Sequence, residues 1–161
     1  MAYNLLSGKK GIIFGALNEK SIAWQVAEKA FEEGAQFTLT NTPAAIRFGT
    51  INELAETCNA EVIPVDATRV DHLEKLIDRT MEIFDGQIDF VLHSIGMSFN
   101  VRKGLTYEDV NYDFFQKTLD ISALSFHKLL NVAKQRDAIK EWGSVVALSY
   151  VAAQKTLYRY N

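Results

Sequence analysis

The residues whose types and order suggest chemistry begin at Gly15. It ends the apolar run Gly11-Ile12-Ile13-Phe14, and Ser21 follows six positions later, where a helical pattern starts. A glycine lets the chain turn sharply and pass close to a ligand. A helix opening at Ser21 would aim free backbone N–H groups and a positive dipole end at a pyrophosphate. The loop Gly15-Ala16-Leu17-Asn18-Glu19-Lys20-Ser21 is not the G-x-G-x-x-G fingerprint, so alone it reads equally as an ordinary strand-turn-helix.

Later apolar runs also end on candidate residues. After Gln36-Phe37-Thr38-Leu39-Thr40 comes Asn41-Thr42-Pro43, without the acid that often holds an adenosine ribose. Nearby Arg47 could meet an NADPH phosphate but reads first as a solvated surface residue. Asp66 closes Glu61-Val62-Ile63-Pro64-Val65; its carboxylate suits an adenine amino group and a turn cap equally. The fourth run, Ile88 to His93, leads into Ser94-Ile95-Gly96, small enough to pass beside a flat ribose-nicotinamide. His93 reads as a packed core histidine, His72 and His127 carry less weight, and their spacing forms no metal site. Beyond the fifth run, Ser144-Val145-Val146-Ala147-Leu148-Ser149, stand Tyr150, Tyr158 and Tyr160, and composition does not choose among them.

The elements that must position these residues follow from periodicity, since buried parallel strands are short apolar runs and helices repeat at three and four. Ile22, Ala23, Val26, Ala27, Ala30 and Phe31 share one helical face between a Ser21 N-cap and a Gly34 stop. Pro43 is expected to break the chain before a weaker helix within Ile51 to Thr57. Leu73, Leu76, Ile77, Thr80, Met81 and Phe84 mark a third helix, punctuated by Gly86. A helical region covers roughly Val110 to Lys134, in two pieces meeting near Asp120. Within it Ile121, Leu124, Leu129 and Val132 are expected on the sheet, with Ala123, Phe126 and Leu130 partly around the other side. That distribution suggests burial on two sides. Strands alternating with helices predict an α/β, doubly wound, Rossmann-like parallel sheet, ending after its fifth strand. Residues 1–161 are expected to form a single dinucleotide-binding domain, incomplete at its C-terminus. Ligands of such sheets bind beyond the carboxyl ends of strands, near the point where strand order reverses.

Composition fits one soluble globular domain: 161 residues, 48% apolar and 23% charged. A net charge of −3 argues against a nucleic-acid backbone binder. The single cysteine, Cys58, cannot form an internal disulfide and reads as a partly buried small residue, which fits a reducing cytoplasm. No stretch reaches the length of a membrane span, so neither export nor membrane insertion is expected.

Taken together, Gly15-x5-Ser21-Ile22-Ala23, Asp66, His93-Ser94-Ile95-Gly96, Asp120-Ile121-Ser122-x2-Ser125-Phe126 and Leu148-Ser149-Tyr150 with Tyr160-Asn161 resemble the bacterial enoyl-acyl-carrier-protein reductases. That group lies within the short-chain dehydrogenases/reductases, and the similarity runs from about Leu6 to the last residue. The resemblance implies that Gly15, Ser21 and Ile22 line the pyrophosphate and that Asp66 and Ala67 meet the adenine. It places Ser94, Ile95 and Gly96 along the nicotinamide ribose and Ser98 near the substrate. Thr42 falls where many relatives carry a glutamine near the adenosine ribose. Tyr160 matches the catalytic tyrosine and Tyr150 the preceding tyrosine of the site.

The reaction so implied is hydride transfer to the β-carbon of a 2-enoyl thioester carried by acyl carrier protein, in fatty acid biosynthesis. A tyrosine hydroxyl, with a free pKa of about 10, can hydrogen-bond the enolate that develops. Both nicotinamide cofactors remain open, with NADH favoured over NADPH, and a tetrameric homo-oligomer is implied for the full-length protein. The family carries a lysine seven residues beyond the catalytic tyrosine, whereas this sequence ends one residue beyond Tyr160, so little activity is expected of the chain alone. The alternatives are another short-chain reductase and a non-catalytic nucleotide-binding fragment. A ketoacyl reductase would usually carry a serine where Ala147 stands.

Overall fold

The computed structural model describes residues 2–158 and 160. Arg159 and Asn161 of the C-terminal motif lie outside them. Five strands form one parallel sheet in the order β3-β2-β1-β4-β5. They are β1 (Lys10–Phe14), β2 (Gln36–Asn41), β3 (Val62–Pro64), β4 (Ile88–His93) and β5 (Ile139–Ala147). This is the doubly wound α/β fold that the alternating pattern predicts, with strand order reversing between β1 and β4.

Alternation along the strands sends side chains to both faces. Ile12 and Phe14 join Val91 in a core under the helices α4 (Val70–Phe84) and α7 (Ser125–Gln135). Ile13 joins Phe37, Leu39 and Leu92 under α1 (Ile22–Glu32) and α3 (Ile51–Cys58). Where both faces are covered, as along β1, β2 and β4, the strands read as apolar runs rather than alternating ones, whereas in β5 Val146 and Ala147 are exposed.

Helix α1 begins after Ser21 and stops before Gly34, whose φ of +90° suits glycine. The face it buries is Ala23, Trp24, Ala27 and Ala30; Ile22, Val26 and Phe31 are exposed, contrary to the expected stripe. Ala23, Ala27 and Ala30 let the helix sit close to the sheet beside the buried Trp24, and Ile22, Val26 and Phe31 are left at its margins. Pro43 does not break the chain but starts α2 (Pro43–Phe48), where Thr42 caps the helix by accepting the Ala45 N–H at 3.2 Å. Proline is well placed in a first turn, whose N–H groups have no helical partner.

The helical region after α5 (Phe99–Arg102) runs through α6 (Tyr112–Leu119) into a π-helical turn, Asp120–Leu124, and on into α7. Leu129, Val132 and Ala133 are buried on the sheet, but Leu124 is 52% exposed and Ala123 is exposed. The wider π turn shifts the phase of the helix, so a single 3.6-residue period misplaces Leu124. On the second side of α7, Phe126 and Leu130 are half-buried.

Strand β5 starts earlier than its apolar run. Ile139 pairs with Ile88 and Ser144 with Phe90, so the intervening residues bulge outward at Trp142, which is exposed at φ +65°. No described helix is long and apolar enough to cross a membrane.

Candidate functional site: two cavities with a shared wall

The carboxyl ends of β1 and β4 meet at Gly15 and Ser94. Gly15 has φ +87°, and a Cβ there would overlap the Ser94 carbonyl oxygen. Only glycine permits this approach, and it forms the floor of the crevice at the reversal point. The Gly15 N–H donates to the Thr40 carbonyl at 3.0 Å, tying the turn to β2 as well.

A cavity of about 490 Å³ opens over this floor. Gly15, Thr42, Asp66, Ala67, Ser94, Ile95 and Gly96 all line it, so the structure brings together most of the residues expected to hold a dinucleotide. Ser21 and Ile22 do not line it. Ile22 is 61% exposed, and the Ser21 hydroxyl works within the loop, accepting the Leu17 N–H at 3.1 Å and donating to the Asn18 carbonyl at 2.7 Å. Ser21 thus occupies the N-cap position without capping the helix through its side chain.

Several lining or supporting residues escaped the sequence reading. Asn41 lines the cavity, donates to the Ala16 carbonyl at 2.9 Å and accepts the Thr42 N–H at 2.8 Å, so it fixes the β2 exit. Asp66 Oδ1 accepts from both the N–H and the hydroxyl of Thr68, at 3.0 and 2.7 Å, while the Asp66 N–H donates to His72 Nδ1 at 3.1 Å. The turn-capping role foreseen for Asp66 is therefore realised, in a residue that also lines the cavity. His72 supports that turn, which helical spacing gave no reason to suspect. Lys117 and Asp120 line the opposite side. Lys128 pairs with Asp120 at 2.6 Å and donates to the Thr68 carbonyl at 2.8 Å, joining α7 to the Asp66 turn.

A second cavity, of about 680 Å³, adjoins the first along the segment 94–97. Ser98, Tyr150 and Tyr160 line it, and so do Ser94, Ile95, Gly96 and Met97, which also line the first. The rings of Tyr150 and Tyr160 stand 4.9 Å apart between centroids, tilted by 48°. Strand β5 delivers them: the Leu148 N–H donates to the His93 carbonyl at 3.0 Å, carrying the chain past the end of β4. Tyr158 is not among the lining residues and is 89% exposed.

His93 is 1% exposed and takes no place in either cavity wall. Burial pushes its pKa down, against a smaller opposing backbone hydrogen bond, which favours the neutral ring of a core histidine. Cys58 is likewise buried, and its thiol is pushed up to about 11 by burial and then by the Glu28 charge, so it is not a nucleophile.

Gly15 permits close approach at the cavity floor, and a side chain at Gly96 would meet only open space within 4 Å. The family described as Enoyl-(Acyl carrier protein) reductase matches residues 15–161. The chain belongs to this family. It is 32% identical over 159 residues to an enoyl-[acyl-carrier-protein] reductase [NADH] of Rhizobium meliloti, covering 98% of this chain and 58% of that protein. To the corresponding enzyme of Rickettsia felis it is 35% identical over 167 residues, covering 100% of this chain and 61% of the relative. The crystal structure of FabI from Alistipes finegoldii is similar with a TM-score of 0.97 and 68% identity, over 99% of this chain and 61% of that one. A FabI–NADH complex from the same organism matches equally, with 56% of that chain covered. The chain thus spans about three fifths of the length of the curated relatives it matches.

Proposed function

We propose that this chain is the dinucleotide-binding part of an NADH-dependent reductase acting on 2-enoyl thioesters of acyl carrier protein, in fatty acid biosynthesis. The observation that carries the reading is the shared wall. Segment 94–97 borders both the dinucleotide-sized cavity and the cavity holding Tyr150 and Tyr160. A nicotinamide in the first cavity would meet a thioester in the second along this segment, with the tyrosine pair beside them.

The cofactor supplies the hydride when bound. The protein's part is placement and electrostatics. In this reading Gly15, with Ser21 and Ile22 at the adjoining helix start, approaches the pyrophosphate, Thr42 the adenosine ribose, and Asp66 and Ala67 the adenine. Ser94, Ile95 and Gly96 bound the nicotinamide ribose, and Ser98 borders the substrate. The Tyr160 hydroxyl donates a hydrogen bond to the thioester oxygen as negative charge grows there, and Tyr150 packs against its ring. Such a donor stabilises the enolate more than the ground-state carbonyl, which is what lowers a barrier.

NADH is favoured over NADPH by the names of the relatives and by the β2 exit. There Asn41, Thr42 and Ala45 line the cavity, while Arg47 is exposed and does not. The exposed apolar residues Tyr112, Phe115, Leu119 and Leu124 along α6 and the π turn support assembly into a homo-oligomer, proposed as a tetramer for the longer protein. A cytoplasmic setting accords with a single cysteine, Cys58, and hence no disulfide within this chain. The test is oxidation of NADH and of NADPH with and without a crotonoyl thioester, measured on this chain and on the longer protein. Thioester-dependent oxidation by the longer protein supports the reading; oxidation only with an acetoacetyl thioester transfers it to a ketoacyl reductase.

A further inference from the structure

Resting on the reading above, we propose that Ser122 is a positioning residue that holds the wall shared by the two cavities. One hydroxyl grips both backbone groups of one residue: Ser122 Oγ accepts the Met97 N–H at 3.0 Å and donates to the Met97 carbonyl at 3.1 Å. Met97 ends the strip that borders both cavities, and residues 94–98 belong to no helix or strand. With Gly96 at its centre the strip has little stiffness of its own, so its position depends on what anchors it.

Ser122 does not act in isolation. Thr118, one turn earlier, accepts the Phe99 N–H at 3.3 Å through a hydroxyl that donates to the Phe114 carbonyl at 2.8 Å. Ser125, three residues later, donates to the Ile121 carbonyl at 2.6 Å. Its only proton is thereby used, so at 2.9 Å it accepts from His93 Nε2, which fixes that nitrogen as the protonated one. Three hydroxyls on one side of the helix thus pin the chain at His93, Met97 and Phe99, before, within and after the strip. The π turn, Asp120–Leu124, contains the middle one. Helix α6, the π turn and α7 therefore set the strip along which cofactor and thioester would meet, and Ser122 is the member that touches it.

The test compares the wild type with Ser122→Ala and Ser122→Thr, which keeps a γ-hydroxyl. NADH affinity is read by titration calorimetry, and backbone amide exchange is read in a peptide covering residues 94–98. The alanine variant is expected to weaken NADH binding roughly tenfold and to speed exchange of the Met97 amide by a similar factor, with threonine restoring both. Unchanged affinity in the alanine variant, or equal loss in both variants, overturns the proposal, because packing rather than the hydroxyl would then be responsible. If the wild type binds no NADH, the dinucleotide reading fails. Met97 exchange still decides the clamp in that case: unaltered protection in the alanine variant overturns it.

Discussion

Tyr150 and Tyr160, ten residues apart in sequence, are in ring contact at 4.9 Å between centroids, across the turn of 3₁₀ helix Val151–Ala153 that folds the chain back after β5. The contact places both hydroxyl-bearing rings at the wall of one cavity. For the longer protein, Tyr160→Phe is expected to lower kcat for a crotonoyl thioester about 100-fold while leaving NADH affinity within twofold. Steady-state kinetics with calorimetry checks this. Unchanged turnover would remove Tyr160 from the catalytic role.

Gly15 predicts a different kind of loss. Alanine there meets both a backbone at φ +87° and the Ser94 carbonyl. Relief requires β1 and β4 to move apart where the cavity floor forms. Gly15→Ala is therefore expected to cost about 2 kcal/mol or more in urea unfolding. NADH binding should fall further than the lost stability explains.

Gly49 tests the same loop without backbone strain, since its φ is −100°. A Cβ there would press on the Leu17 carbonyl, which already accepts the Thr50 N–H at 2.9 Å. Together with Ser21 on the Leu17 N–H, that bond holds both polar groups of the Leu17 backbone. Gly49→Ala should weaken NADH binding roughly tenfold, because the Gly15–Ser21 loop shifts. An affinity equal to wild type would show that the loop tolerates the displacement.

Acid should expose the Asp89 junction. Burial pushes the Asp89 carboxyl up. The Lys10 N–H at 3.0 Å and the ammonium groups of Lys140 and Lys9, at 3.0 and 3.1 Å, more than offset that, so its pKa lies below the ordinary carboxylate value. A carboxyl with a lowered folded pKa contributes stability above its unfolded pKa, about 3.9, and loses it as pH falls through the folded value. Asp89→Asn should therefore cost about 1 kcal/mol at neutral pH and progressively less as pH falls below about 4. Urea midpoints measured across that range check the convergence. His93 adds a separate step: its lowered pKa means stability declines as pH drops below about 6.5, where the unfolded ring takes up a proton.

Cys58 gives a simple probe of the α1–α3 core. With its pKa pushed up to about 11 and 5% of its surface exposed, the thiol should react with a disulfide reagent at pH 8 only as fast as the protein opens. Denaturant should raise that rate by orders of magnitude. Rapid labelling of the native chain would contradict the burial.

The parallel α/β layering is legible in the amino-acid order, because strands covered on both faces must be apolar throughout, as Ile12-Ile13-Phe14 and Val91-Leu92 are. That order also showed which loops end those strands, and therefore where Gly15, Asp66, Ser94 and Tyr150 had to lie. It misjudged the exposed residues of α1 and Leu124, since helical periodicity does not register close alanine packing or a π turn. Tertiary structure alone decided that one strip serves two cavities and that Asn41, His72 and Ser122 hold their walls. Those roles depend on hydrogen bonds between backbone and side chains, 25 residues apart for Asn41 with Ala16 and for Ser122 with Met97 and six for His72 with Asp66, and no pattern of residue types records such a pairing.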